Sequence, residues 1–249
     1  MNVDDIKRIG VMGGGVMGGG IAQTCVVAGF QVTVRDLNDE LIAKTRDLMI
    51  EGRFGLKGAV ERKKMTQQEM DDAIARLSFT TAVEDLRDSD VIIEAVPENQ
   101  ELKKKIYAGL DKLVKPEAVF ASNTSGFAIS DLNQAVARKD RFIGMHWFSP
   151  AFVMKLIEII YAPETSEDTI KLLEALCAKL GKETVRVKDA PGAYGFIANR
   201  VFFAAVAEAR KVAEEGVASP EDIDKAMRVG FRWPTGPLEM TRGARSGWQ

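Results

Sequence analysis

Apolar residues in this chain come in short runs separated by glycines and by longer amphipathic stretches, and the two periods alternate. Residues 7–12 (KRIGVM) are a β-branched run that meets glycine at once. From Val16 to Ala28 the apolar spacing becomes helical, Gly29 stands where that helix should end, and residues 31–36 (QVTVRD) alternate apolar and polar as a second strand. Together they predict one βαβ unit. The charged stretch from Asn38 to about Leu77 keeps helical spacing at Leu41, Thr45, Leu48 and Met49 before Gly52, Gly55 and Gly58 interrupt it, which predicts two helices, the second around 67–76. Strands then recur at 90–96, 118–121, 141–146, 155–161 and 184–188, with a helix over 101–114. Strands regularly separated by helices predict an α/β fold, a Rossmann-type doubly wound, largely parallel sheet.

Beyond residues 189–192 (DAPG) the strand signals stop, and 196–215 and 220–229 read as helices. The chain therefore divides into a sheet domain, 1–190, and a smaller all-helical C-terminal domain, 191–249. So short a domain buries too little surface for an ample core of its own. It is expected to lean on the sheet domain, on a partner chain or on helices that a longer version would carry.

Composition narrows the function. Of 249 residues, 34 are basic and 36 acidic, a net charge of −2 that provides no broad electrostatic footprint for nucleic acid. No apolar run approaches the roughly 18 residues of a spanning helix, and the polar N-terminus lacks the apolar segment of a secretion signal. Neither a membrane nor a nucleic-acid partner is expected. Cys25 and Cys177 sit in apolar surroundings, which reads as reduced core thiols in a cytoplasmic protein. His146 is the single histidine, so histidine metal clusters are impossible, no metal is expected, and a neutral-pH imidazole base has one address.

Residues 13–18 satisfy G-x-G-x-x-G between a predicted strand and a predicted helix. In this context Gly13 permits the tight turn, Gly15 lets backbone amides approach a pyrophosphate and Gly18 lets the helix lie close on the sheet, while the helix N-terminus supplies positive charge. Gly13, Gly15, Val16, Met17 and Gly18 are thus candidate cofactor residues. Asp36, at the end of the second strand, can accept hydrogen bonds from both adenosine-ribose hydroxyls and repels a 2′-phosphate, which selects NAD over NADP. Its competing role is to cap the helix starting near Asp39. Strand alternation expects Arg35 on the opposite sheet face.

Three further segments stand in a telling order: residues 122–125 (SNTS), 141–150 (RFIGMHWFSP) and 154–158 (MKLIE). With residues 9–15 (IGVMGGG), 91–98 (VIIEAVPE) and 196–200 (FIANR), they make the chain resemble the L-3-hydroxyacyl-CoA dehydrogenases, including bacterial 3-hydroxybutyryl-CoA dehydrogenases. The resemblance covers nearly the whole chain. It implies that His146 is the acid–base, that Glu158 holds its imidazole, and that Ser125 and Asn199 bind the reacting oxygen of the substrate. It also implies that Glu98, Lys103 and Asn123 line the cofactor site, that Arg62 lies in the basic segment meeting the coenzyme A phosphates, and that the protein is a homodimer. The implied reaction is reversible NAD-dependent oxidation of a short-chain (S)-3-hydroxyacyl-CoA.

The residues support that chemistry in their own right. Alcohol oxidation needs a base that titrates near neutral pH, as histidine does. A carboxylate inside the apolar run 156–160 (LIEII) needs a partner. A Ser-His-Glu hydrolase would lack the G-x-S-x-G elbow and leave the glycine turn idle. A sugar-acid dehydrogenase on the same scaffold and a non-enzymatic NAD-binding protein are the remaining alternatives. Two departures stand out: the additional Ala193-Tyr194-Gly195 ahead of Phe196, and the absence of the helices that usually follow residues 236–239 (GPLE), from which a shortened helical domain is expected.

Overall fold

The computed structural model describes residues 1–246; residues 247–249, the last of the domain read as 191–249, lie outside the described part. The chain opens with β1 (Arg8–Met12), α1 (Val16–Val27) and β2 (Gln31–Arg35). Next come α2 (Asp39–Ile50), α3 (Leu56–Glu61), α4 (Gln67–Ala75) and β3 (Leu77–Thr80). β4 (Val91–Glu94), α5 (Gln100–Leu113), β5 (Val119–Ser122) and α6 (Ile129–Leu132) lead to β6 (Phe142–Trp147), β7 (Leu156–Tyr161), α7 (Glu167–Lys179) and β8 (Glu183–Lys188). These strands form one eight-stranded sheet in the order β3-β2-β1-β4-β5-β6-β7-β8. β1 to β6 run parallel, β7 turns antiparallel to β6, and β8 runs parallel to β7. The doubly wound, largely parallel sheet read from the sequence is the one observed.

The central strands are buried along their length, as a sheet covered by helices on both faces requires. α1 is apolar around its circumference and packs into the main core with Ile21, Ala22, Cys25 and Val26. Cys25 and Cys177 are both free and buried, and burial pushes the Cys25 thiol up to about 12, which keeps it protonated and inert. Four helices or strands of the sheet unit are not named in the sequence reading: α3, β3, α6 and α7. The glycine-rich stretch after α2 holds the short helix α3, and residues 77–80 form the edge strand β3, only four residues long, whose Leu77 and Phe79 pack partly buried against the main core.

The chain separates into two compact units, Met1–Tyr194 and Gly195–Gln249. The division falls a few residues beyond the 190/191 junction expected from composition. Asp189 accepts the Ile129 and Ser130 amides at 3.0 and 2.8 Å, and the Tyr194 ring stands edge-on to Phe127, so the connecting segment is fastened to the first unit. The second unit contains α8 (Ile197–Glu214), α9 (Pro220–Gly230) and α10 (Pro237–Ser246). A small core of Ala209, Ile223 and Leu238 joins them, and buried Asp224 accepts the Leu238 amide at 2.8 Å near the start of α10.

Candidate active site

In the sheet order, β1 lies between β2 and β4, and the connections from β1 and β4 leave in opposite directions. That reversal opens a crevice at their carboxyl ends, where doubly wound sheets bind ligands. A cleft of about 500 Å³ occupies it, lined by Gly13, Gly15, Val16, Met17, Asp36 and Val96 among others. The glycine turn shapes its floor. Gly13 has φ of +93°, and a Cβ there would stand 2.9 Å from the Ala95 carbonyl oxygen. A Cβ on Gly18 would come within 1.8 Å of the Gly13 carbonyl, so α1 approaches β1 only because Gly18 lacks one. At Gly15, the N-cap of α1, a Cβ would meet nothing within 4 Å. The space there is open, and the first turn of α1 carries no acidic side chain to compete with phosphate for the helix N-terminus.

Asp36 closes the far side of this cleft. One carboxylate oxygen accepts the Gly14 amide and the other the Leu37 amide, each at 2.7 Å. With roughly four acceptor positions per carboxylate, Asp36 keeps capacity for two ribose hydroxyls. It does not cap the next helix: Asn38 does, accepting the Leu41 amide at 2.9 Å. The expectation for Arg35 is corrected. Arg35 lines the same cleft as Asp36, its Nε donating to the Thr81 carbonyl at 3.2 Å. β2 ends at Arg35, so the alternation of strand side chains no longer governs Asp36. The open amide cradle, the helix N-terminus and the doubly bonded Asp36 together fit the pyrophosphate and adenosine ribose of a dinucleotide.

Farther along the sheet, Glu94 of β4 pairs with Ser122 of β5, and Ser122 with Gly144 of β6. The residues after each strand therefore emerge side by side at one edge. Buried Glu94 accepts the Ser122 hydroxyl at 2.7 Å, the Lys103 ammonium at 2.5 Å, the Val96 amide at 2.9 Å and the Tyr107 hydroxyl at 3.3 Å. Glu94 and Tyr107 are site-supporting residues that sequence reading did not single out. Lys103 is 1% exposed and also lies 3.2 Å from Glu98. Glu98 in turn accepts the Thr124 hydroxyl at 2.5 Å and the Ser125 amide at 2.9 Å. Asn123 turns its side-chain oxygen to the Trp147 amide at 2.9 Å, tying the β5 loop to β6.

His146 and Glu158 meet because β6 and β7 are antiparallel and these two residues are direct cross-strand partners. Their side chains then share one face of the sheet. His146 Nδ1 lies 2.7 Å from Glu158 Oε2, with both residues buried, and the Phe148 ring stands 4.6 Å from the imidazole. Trp147, by contrast, is buried in the main core. Asn199 lies in the first turn of α8, in the second unit. Arg62 caps the end of α3, donates to the Arg53 carbonyl at 2.8 Å, and stands beside exposed Lys63 and Lys64. Among the described residues no three histidine, cysteine, aspartate or glutamate side chains gather into a metal site, and no helix is long and apolar enough to cross a membrane.

Residues 8–190 match the family described as 3-hydroxyacyl-CoA dehydrogenase, NAD binding domain, and residues 195–245 the family described as 3-hydroxyacyl-CoA dehydrogenase, C-terminal domain. The mitochondrial hydroxyacyl-coenzyme A dehydrogenase of Rattus norvegicus is 39% identical over 238 residues, covering 94% of this chain and 75% of the relative. A probable 3-hydroxybutyryl-CoA dehydrogenase of Bacillus subtilis is 40% identical over 236 residues, covering 95% of this chain and 80% of the relative. Among solved structures, the (S)-3-hydroxybutyryl-CoA dehydrogenase of Ralstonia eutropha aligns with a TM-score of 0.88 at 40% identity, over 94% of this chain and 81% of that one.

Proposed function

The chain belongs to the 3-hydroxyacyl-CoA dehydrogenase family, and we propose that His146 is the acid–base residue with which it interconverts (S)-3-hydroxyacyl-CoA and 3-oxoacyl-CoA. The enzyme is NAD-dependent. When bound, NAD supplies the nicotinamide carbon that takes hydride from C3 of the substrate. Asp36, Gly15 and the N-terminus of α1 are the residues suited to hold its adenosine and pyrophosphate. In oxidation His146 removes the 3-hydroxyl proton as hydride departs, and in reduction it returns that proton to the oxygen. Glu158 receives the Nδ1 side of the ring, which leaves the proton exchange to Nε2 and stabilises the imidazolium once formed. Ser125 donates a hydrogen bond to the 3-oxygen as it gains negative charge. Asn199 takes the same task by its match to the family motif, and the cationic edge of Arg62, Lys63 and Lys64 suits the coenzyme A phosphates.

The observation that carries this reading is the buried His146–Glu158 pair at 2.7 Å. The test is NADH absorbance at neutral pH with acetoacetyl-CoA, beside a free sugar acid offered with NAD. Turnover of acetoacetyl-CoA is expected; turnover of the sugar acid alone would overturn the reading. The names of the bacterial relatives favour short acyl chains.

The helical unit supports a homodimer. It leaves Ile197, Val201 and Phe203 of α8 exposed, and Phe231 after α9 is 75% exposed, an apolar surface of the kind that pairs with another chain. A dimer mass by light scattering is expected, lost on deleting residues after Gly192 while NADH binding persists. A monomer mass unchanged by that deletion would defeat the proposal. Two buried free thiols suit a reducing compartment such as the cytoplasm.

A further inference from the structure

Glu98 stands between the loop after β5 and the buried Lys103. Its Oε1 accepts the Thr124 hydroxyl at 2.5 Å and the Ser125 amide at 2.9 Å, and the Tyr194 hydroxyl reaches the same oxygen at 3.4 Å. Its Oε2 lies 3.2 Å from the Lys103 ammonium. Lys103 is 1% exposed and held at 2.5 Å by Glu94, itself 0% exposed. Glu94 is fixed from the other side by Ser122 and the Val96 amide. A chain of charge-assisted bonds thus runs from the buried end of β4, through a buried lysine, to a partly exposed carboxylate, and ends on the backbone of the residue that follows Thr124. Such bonds are the shorter and stronger ones, and networks of them fix geometry.

We propose that Glu98 is a positioning residue for Ser125: anchored by the buried Lys103–Glu94 pair, it sets the place of the loop whose serine meets the substrate oxygen. This rests on the reading of Ser125 given above, and it gives Glu98 and Lys103 a task besides lining the cofactor site. Lys103 is spent on two carboxylates within the protein, and both bonds at Glu98 Oε1 that are shorter than 3 Å come from the β5 loop. Tyr194, from the segment that departs from the family pattern, adds a further tie between this carboxylate and the end of the first unit. Its ring stands 6.0 Å edge-on from Phe127, two residues beyond Ser125 on the same loop.

The test compares Glu98→Ala, Glu98→Gln and Ser125→Ala. Removing Lys103 or Glu94 would strand a buried charge and endanger folding, so neither is used. Glu98→Ala should lower kcat with acetoacetyl-CoA about 10- to 100-fold at saturating NADH, the scale on which a displacement near 1 Å acts. Glu98→Gln, which keeps an oxygen acceptor for the Ser125 amide, should recover part of that loss. NADH affinity, read by fluorescence titration, sets the NADH concentration at which kcat is taken and shows that each variant folds; kcat at saturation then separates the placement of Ser125 from any contact of Glu98 with the cofactor. Hydrogen exchange in the protein without substrate or NADH should rise over residues 123–127 in Glu98→Ala. In the Ser125→Ala background, Glu98→Ala should cost little more, since the two act as one unit. A raised NADH Kd with kcat unchanged, or unchanged exchange over 123–127, would overturn the inference and leave the role of Ser125 standing. Full turnover in Ser125→Ala would remove that role, and this inference with it.

Discussion

Replacing Glu158 by glutamine isolates one quantity, the charge beside His146. Glutamine has nearly the same shape and keeps an oxygen that can accept from the imidazole Nδ1, so position and tautomer should survive while the charge is lost. The Nδ1 to Oε2 distance is 2.7 Å and both side chains are buried, 4% and 0% exposed, so solvent screens the pair little. An imidazolium and a carboxylate with charge centres roughly 4 Å apart attract by about 4 kcal/mol at an effective dielectric near 20. The surviving neutral hydrogen bond offsets part of that, leaving about 2–4 kcal/mol of stabilisation for the charged state through which the proton passes. Turnover should fall about 30- to 1000-fold. Stability should change far less, because burying an amide in place of a carboxylate also removes a desolvation cost. The assay is kcat from NADH absorbance with acetoacetyl-CoA, alongside NADH titration and urea unfolding. Turnover within about threefold of the parent would refute the reasoning and make Glu158 a structural residue of β7.

His146→Gln should reduce turnover about 10²- to 10⁴-fold, the usual contribution of a general acid–base, with NADH affinity nearly unchanged in the same titration. Asp36→Ala should weaken NADH by about 1.5–3 kcal/mol, the worth of hydrogen bonds to a charged group, and narrow the preference over NADPH; equal affinities in the parent would remove the argument. Asn199→Ala should lower kcat with NADH affinity kept, and unimpaired turnover would return it to an ordinary helix position. Asp90 accepts the Lys7 and Arg8 amides at 2.7 and 2.8 Å and bonds Lys115. Burial pushes its pKa upward, yet Lys115 and the two amides outweigh burial and hold it below the usual carboxylate range. Its stabilisation is therefore present above the unfolded carboxylate value, about pH 4, and is lost as pH falls through the lower folded one, so the urea-unfolding gap between the parent and Asp90→Ala should close in acid.

What was legible in the sequence follows from what each element buries. The central strands show as apolar runs because both faces are covered, and the glycine turn shows because its spacing is dictated by close approach at Gly13 and Gly18. β3 was missed because a four-residue edge strand is too short for the alternation of Leu77 and Phe79 to stand out, and α3 because a six-residue helix between glycines reads as interruption. Arg35 was misplaced by applying strand alternation one residue past the strand's end.

The site was half legible for a similar reason. Glu158 could be found as a carboxylate inside an apolar strand, and the same signal marks Glu94 at the end of residues 91–94 (VIIE), where it went unused. Both are 0% exposed, and each is satisfied by a residue whose partnership only the sheet reveals. Glu158 faces His146 because β7 reverses direction and sets the two residues in register. Glu94 faces Lys103 because α5 returns over the end of β4, nine residues on. A buried carboxylate announces that a partner exists, since an uncompensated one would not stay charged. The sequence therefore locates where chemistry is held, and the strand order decides which cation or imidazole answers it. In this fold one such carboxylate holds the histidine that moves the proton, and the other, through Lys103, holds Glu98 against the loop of Ser125.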